Sequence, residues 1–172
     1  PCADSSTGRR PWLPTQRPTP TMIPGVILAA GASSRMGRPK ALLPTNRSTE
    51  TFVSRIVGTL RAADIDDVLV VVSDHVPELR AALMTESPPV RVVDNPHPEG
   101  GQLSSLLSAL QLVDRPGAQA MLVTPVDVPL VSVETVRALL DAYRTTSASI
   151  VRPAHGGRHG HPVVFDRRLF AA

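Results

Sequence analysis

Two hydrophobic rhythms alternate along the chain, and the switches between them outline its elements. Val26 to Ala29 and Val68 to Val72 are continuous apolar runs of strand length, as expected for strands covered on both faces. Val90 to Val93 and Met121 to Thr124 add two more short strands. Between them the spacing turns helical. Phe52, Ile56, Val57 and Leu60 share one face of a helix over Thr51 to Ala63, and Leu103 to Leu112 forms another. Asp74 or His75 can cap a helix that carries Pro77 in its first turn and runs to about Met84. Ser132 is placed to cap a helix reaching Tyr143, with Glu134 in the first turn, where the helix dipole favours a carboxylate. Ile150 to Arg152 and Pro162 to Phe165 read as two late strands around a turn at Gly156 and Gly157.

Four strand–helix units in succession predict an α/β domain with a mostly parallel sheet and helices on both faces. In such sheets ligands bind at the carboxyl ends of strands. Attention therefore falls on the segments after Ala29, Val72, Val93 and Thr124.

Composition narrows the function classes. The 172 residues are 42% apolar and 19% charged, a globular composition, and no apolar run approaches the ~20 residues that span a bilayer. Cys2 is the only cysteine, which excludes an internal disulfide and a cysteine-built zinc site. Residues 1–21 carry five prolines and no apolar periodicity, and are expected to be a disordered extension outside a domain over 22–172. That extension holds Arg9, Arg10 and Arg17 against Asp4, so the net charge of +3 falls to +1 without it. No basic cluster remains in the domain, and five aromatic residues provide no stacking platform. Nucleic acid is thus not an expected partner. The absence of a signal segment and of disulfides points to the cytoplasm.

Of the 18 basic residues only one, Lys40, is a lysine, which fits a site needing a compact ammonium and also fits chance. It ends the segment Leu28-Ala-Ala-Gly-Ala-Ser-Ser-Arg-Met-Gly-Arg-Pro-Lys40. A turn of small residues lets backbone N–H groups approach an anion, and Arg35 and Lys40 add two positive charges. That suits a triphosphate, although the spacing is neither a dinucleotide fingerprint nor a P-loop.

Asp127 lies between Pro125 and Pro129 at the end of a buried strand. It can either hold Mg²⁺ against substrate phosphates or cap the turn before the Ser132 helix. In Asn95-Pro-His-Pro-Glu-Gly-Gly-Gln-Leu-Ser-Ser105, the amides and hydroxyls around Gly101, Ser104 and Ser105 can hold a base or ribose, or simply cap the following helix. His159 and His161 have no acidic or cysteine partner nearby, which argues against zinc. The hairpin from Gly156 to Phe165, with Gly160 and His161, is expected to form one wall of an acceptor pocket.

Together these segments resemble the MobA-like nucleotidyltransferases, over Ile23 to the C-terminus. The string from Leu28 to Lys40 is a signature of that superfamily. Glu99 to Leu106 (EGGQLSSL), Val126 to Val131 (VDVPLV) and Gly160 to Phe165 (GHPVVF) are most similar to the branch containing molybdenum cofactor cytidylyltransferase. The resemblance implies a Rossmann-like three-layer nucleotidyltransferase fold and transfer of a nucleoside monophosphate from an NTP. It further implies that Leu28, Ala29, Ala30 and Gly31 contact the nucleotide, that Arg35 and Lys40 meet its phosphates, and that Asp127 holds Mg²⁺. Ala30 is similar to the cytidylyl branch, where the guanylyl branch carries a second glycine, so CTP is the favoured donor. The family continues a few tens of residues beyond the position of Ala172, so the domain is expected to be truncated there.

The reading that follows is a Mg²⁺-dependent nucleotidyltransferase acting on a phosphorylated acceptor such as the molybdenum cofactor, with a molybdoenzyme receiving the product. Two alternatives stand beside it: a non-catalytic nucleotide- or cofactor-binding module, and a transferase acting on a sugar phosphate or other phosphorylated metabolite.

Overall fold

The computed structural model describes residues 22–31, 39–45 and 49–170. The expected extension over 1–21 and the Arg35 site lie outside these residues. Strand β1 (Gly25–Leu28) is followed by helix α1 (Phe52–Ala62), β2 (Val68–Val72), α2 (Pro77–Leu83), β3 (Arg91–Asp94) and α3 (Gly101–Val113). Next come β4 (Ala120–Pro125), α4 (Val133–Thr146), β5 (Ile150–Val151), a hairpin of β6 (Ala154–His155) and β7 (Arg158–His159), and finally β8 (Val163–Asp166).

Six strands form one sheet in the order β3-β2-β1-β4-β8-β5. The first four are mutually parallel, and β8 runs antiparallel to both β4 and β5. This is the expected three-layer α/β fold, with the late strands supplying an antiparallel edge.

The sheet is covered on both faces, and the strands divide their side chains between two cores with a period of two. Ile27, Val68, Val70, Val72, Ala120 and Leu122 face one core, where α1 contributes Leu60, α2 contributes Leu79 and α4 contributes Leu140. Val26, Leu69, Val71, Met121 and Val123 face the other, covered by Ala109 and Val113 of α3 and by Phe170. All five residues of β2 are buried, which explains why β2 reads as an unbroken apolar run.

Local signals fix the helix ends. Thr51 caps α1 by accepting from the Ser54 amide at 3.3 Å, and Ser132 caps α4 by accepting from Thr135 at 3.2 Å. Hydrogen bonds from its own amide and from the Ser132 hydroxyl hold the Glu134 carboxyl below its usual range. One expectation fails at α2. Its N-cap is Val76, with no side-chain hydrogen bond, so neither Asp74 nor His75 caps it. Proline at the first turn removes one donor that a cap would have served. A second difference is the β6–β7 hairpin, which inserts two extra strands between β5 and β8 around Gly156 and Gly157.

The amino ends of the strands are closed by a buried polar group. Asp166 Oδ1 accepts from the backbone N and the Nε of Arg168, both at 2.8 Å, and Oδ2 accepts from the Tyr143 hydroxyl at 2.8 Å. The Arg168 hydrogen bond pulls the Asp166 carboxyl down to about 2, while burial and this carboxylate push the Tyr143 phenol up to about 12. Stability contributed by ionised Asp166 is complete above the ordinary carboxylate value of 3.8 and is lost as pH falls toward 2. Stability contributed by neutral Tyr143 is complete below pH 10 and is lost as pH climbs toward 12. Asp166→Asn should therefore flatten the acid limb of stability between about pH 4 and pH 2, measured by denaturant unfolding across pH.

Candidate active site

The sheet order places the site. From β1 the chain steps outward to β2 and β3, then returns to add β4 on the other side of β1. At such a reversal the connections leave on opposite faces, and a crevice opens at the carboxyl ends of the two central strands. Leu28 stands opposite Pro125 in the β1–β4 register, and the Val126 amide donates to the Leu28 carbonyl at 3.1 Å. The turn after β4 is thereby tied to the turn after β1.

A cavity of about 230 Å³ lies in this crevice. The turn after β1 lines it with Leu28, Ala29, Ala30 and Gly31, and the 3₁₀ turn over Lys40–Leu42 adds Pro39, Lys40 and Ala41. The entry to α3 contributes Pro98, Gly101, Gln102 and Ser105, and the turn after β4 contributes Pro125, Val126 and Asp127. One ammonium and one carboxylate thus meet around backbone amides and small side chains.

One backbone contact and one buried hydroxyl contact fix the wall after β1. The Ala29 amide extends the β1–β2 ladder by donating to Val71 O at 2.9 Å, and buried Ser73 donates to Ala30 O at 3.1 Å. On the opposite wall, no side chain caps α3, and its first amide, that of Gly101, donates to Pro98 O of the preceding 3₁₀ turn. Such a helix end favours an anion or a polar acceptor.

The structure brings together most of the site expected from sequence. Leu28, Ala29, Ala30, Gly31, Lys40, Gly101, Ser105 and Asp127 all line one cavity. Asn95 and Ser104 are not in its lining. Asn95 is buried and its amide donates to Ser104 Oγ at 3.0 Å and to Ser105 Oγ at 2.9 Å. Gly160 and His161 are exposed, and neither lines the cavity.

Pro39, Ala41, Pro98, Gln102, Pro125 and Val126 make up the rest of the described lining. Each lies within three positions of an expected site residue, so proximity to a motif was the signal available. A larger cavity, about 300 Å³, opens at the amino ends of the strands among Asp64, Asp66, Asp67 and Arg144. Asp67 there pairs with Arg91 and Arg115 and Asp64 with Arg137, and this cavity lies at the end of the sheet away from the switch-point crevice where such folds bind ligands.

Among the described residues, no three histidine, cysteine or acidic side chains gather to hold a metal, and no helix is long and apolar enough to cross a membrane. Asp127 is the one carboxylate in the lining. Mg²⁺ keeps several waters and takes one or two carboxylates plus substrate phosphates. The donor set here fits a metal that arrives with a nucleotide.

A mostly parallel sheet with a cationic and an anionic side chain at its switch point defines a ligand-binding α/β protein. The family is specific: residues 25–172 match the MobA-like NTP transferase domain, and the chain belongs to that family. It is 34% identical over 139 residues to a probable molybdenum cofactor guanylyltransferase of Rhodopirellula baltica, covering 81% of this chain and 63% of the relative. A similarly named protein of Mycobacterium avium is 31% identical over 138 residues, with 80% and 66% covered, so the chain spans about two thirds or less of these relatives' length. The crystal structure of Rv0371c from Mycobacterium tuberculosis superposes with a TM-score of 0.74 at 32% identity, covering 89% of this chain and 75% of that one. The same mycobacterial protein has been crystallised in complex with manganese.

The geometry at α3 carries one prediction. Gly101 has φ 72° and ψ −148°, a region reached almost only by glycine, although a Cβ there would meet nothing within 4 Å. Gly101→Ala should lower the unfolding free energy by about 1–3 kcal/mol through backbone strain alone, read by urea denaturation.

Proposed function

We propose that the chain transfers CMP from CTP to a phosphate of a molybdenum cofactor-like acceptor, with release of pyrophosphate. The observation that carries this reading is the meeting of Lys40 and Asp127 on one cavity at the switch between β1 and β4. An acceptor phosphate oxygen forms a bond to the α-phosphorus. The bond from that phosphorus to the bridging oxygen breaks, and its electron pair leaves with pyrophosphate. Such a step asks little covalent chemistry of the protein, so positioning and charge neutralisation carry the rate.

The residues divide that work. Leu28 to Gly31 offer backbone and small side chains to the nucleotide, and Lys40, with Arg35 by its place in the motif, neutralises the leaving pyrophosphate. A compact ammonium follows a moving phosphate more freely than a planar guanidinium does. Asp127 would hold Mg²⁺, whose charge neutralisation at the α-phosphate is the chemistry a divalent ion supplies. The manganese complex of the mycobacterial relative supports a divalent metal.

The acceptor side is supported by charge. The segment 150–162 carries Arg152, His155, Arg158, His159 and His161 with no acidic residue. Because β5 and β4 both pair antiparallel with β8, they run in the same direction, and this segment leaves β5 at the end of the sheet where the cavity lies. Gly160 and His161 stand there as acceptor-binding candidates, exposed to an incoming phosphorylated molecule.

For the donor base, Ala30 stands where the guanylyl branch, by the resemblance noted above, carries a second glycine. That supports CTP. The relatives named guanylyltransferase support GTP as the second reading.

A calorimetric panel of CTP, GTP, ATP and UTP, each with and without Mg²⁺, should show a Mg²⁺-dependent response to CTP; a response to GTP alone selects the second reading. Lys40→Ala should lower turnover by about 100-fold or more while nucleotide Kd changes by no more than about threefold. Asp127→Ala should abolish Mg²⁺-dependent pyrophosphate release and leave nucleotide binding in place. Binding without turnover in the unmodified chain, given the acceptor, would identify a binding module.

A further inference from the structure

Asn95 is buried beside the α3 wall of the cavity, and its hydrogen bonds have a direction. Its Oδ1 lies 2.9 Å from the backbone N of His97, which can only donate, so Oδ1 accepts and the other terminus is the NH₂ group. Both amide hydrogens are then spent, one on Ser104 Oγ at 3.0 Å and one on Ser105 Oγ at 2.9 Å. Asn95 is 3% exposed, so no water competes for these bonds.

The two serines differ in what is left to them. Ser104 Oγ sends its own hydrogen to Gly101 O at 2.9 Å. Ser105 Oγ donates to the same carbonyl at 3.4 Å, a longer and weaker bond. Ser105, unlike Ser104, lines the cavity. With a lone pair engaged by Asn95 and only this long bond to give up, the Ser105 hydroxyl can turn its hydrogen to a ligand.

We propose that Asn95 is a positioning residue that sets Ser105 as a hydrogen-bond donor to an acceptor atom of the bound nucleotide. This rests on the nucleotide reading above. The α3 wall carries no charged side chain in Gly101, Gln102 or Ser105, so it suits the uncharged part of the nucleotide, a base carbonyl or ring nitrogen. Asn95 itself touches no ligand in this arrangement; its two hydrogens and its one acceptor are all used within the protein.

The test is a double-mutant cycle on Kd for whichever of CTP or GTP the unmodified chain binds with Mg²⁺, measured by calorimetry. Asn95→Asp keeps the shape and the bond from His97 but presents a second acceptor to Ser105, whose hydroxyl then turns away from the cavity. Asn95→Asp and Ser105→Ala should each weaken binding about tenfold, and the double variant should also lose about tenfold rather than about a hundredfold. Ser105→Thr, which keeps the hydroxyl, should retain affinity. Should Asn95→Asp not fold, Asn95→Ala takes its place in the cycle, and its loss must again vanish in the Ser105→Ala background. Unchanged affinity in Ser105→Ala, or losses that multiply in the double variant, would overturn the donor role. An unmodified chain that binds none of the four nucleotides would overturn the nucleotide reading as well, and is told apart from the other failures by that alone.

Discussion

The site depends on one topological constraint, the reversal of strand order around β1. Because β2 and β4 both lie parallel to β1 on either side, the carboxyl ends of the central strands finish at one level. The Val126 amide on Leu28 O then locks the turn that bears Asp127 to the turn that bears Ala29, Ala30 and Gly31. Residues about a hundred positions apart in sequence are held together by a backbone hydrogen bond, which depends on no particular side chain. The two cores keep that register, since slipping any strand by one residue would exchange its side chains between faces.

Buried polar groups divide between the two ends of the sheet by task. At the amino ends, Asp166, Tyr143 and Arg168 satisfy one another and join β8, α4 and the following 3₁₀ turn into a closed network. Arg91 and Arg115 pair with Asp67 at the same end. At the carboxyl ends, Ser73 and Asn95 are buried; Ser73 bonds the turn after β1, and Asn95 bonds the first turns of α3. The first end is stabilised by ion pairs. The second is rigid yet leaves Lys40 and Asp127 on a surface that a ligand can reach.

Much of this was legible in sequence because it is local. The β2 run is buried on both faces and therefore lacks alternation, while Thr51 and Ser132 announce helix starts by the geometry of a single side chain. Asp74 and His75 misled for the complementary reason: cap-forming residues stand just before α2, but the chain enters that helix through a turn that leaves both exposed. The β6–β7 hairpin escaped notice because two-residue strands carry no periodicity. In the site, small residues and Lys40 were visible as a motif, whereas Pro98, Gln102 and Val126 line the cavity only because of where their neighbours were carried.

By itself, the sequence determined the order of strands and helices, the α/β class and the chemical character of the loops after β1, β3 and β4, since these follow from short-range spacing and residue type. Only the tertiary structure decided that these loops share one cavity, because their convergence comes from the sheet reversal and from parallel register. It also separated Ser105 from Asn95 and Ser104, placing the first in the cavity lining and the others outside it. That distinction turns on which hydroxyl receives which amide hydrogen, and a linear string of polar residues does not encode the direction of a hydrogen bond.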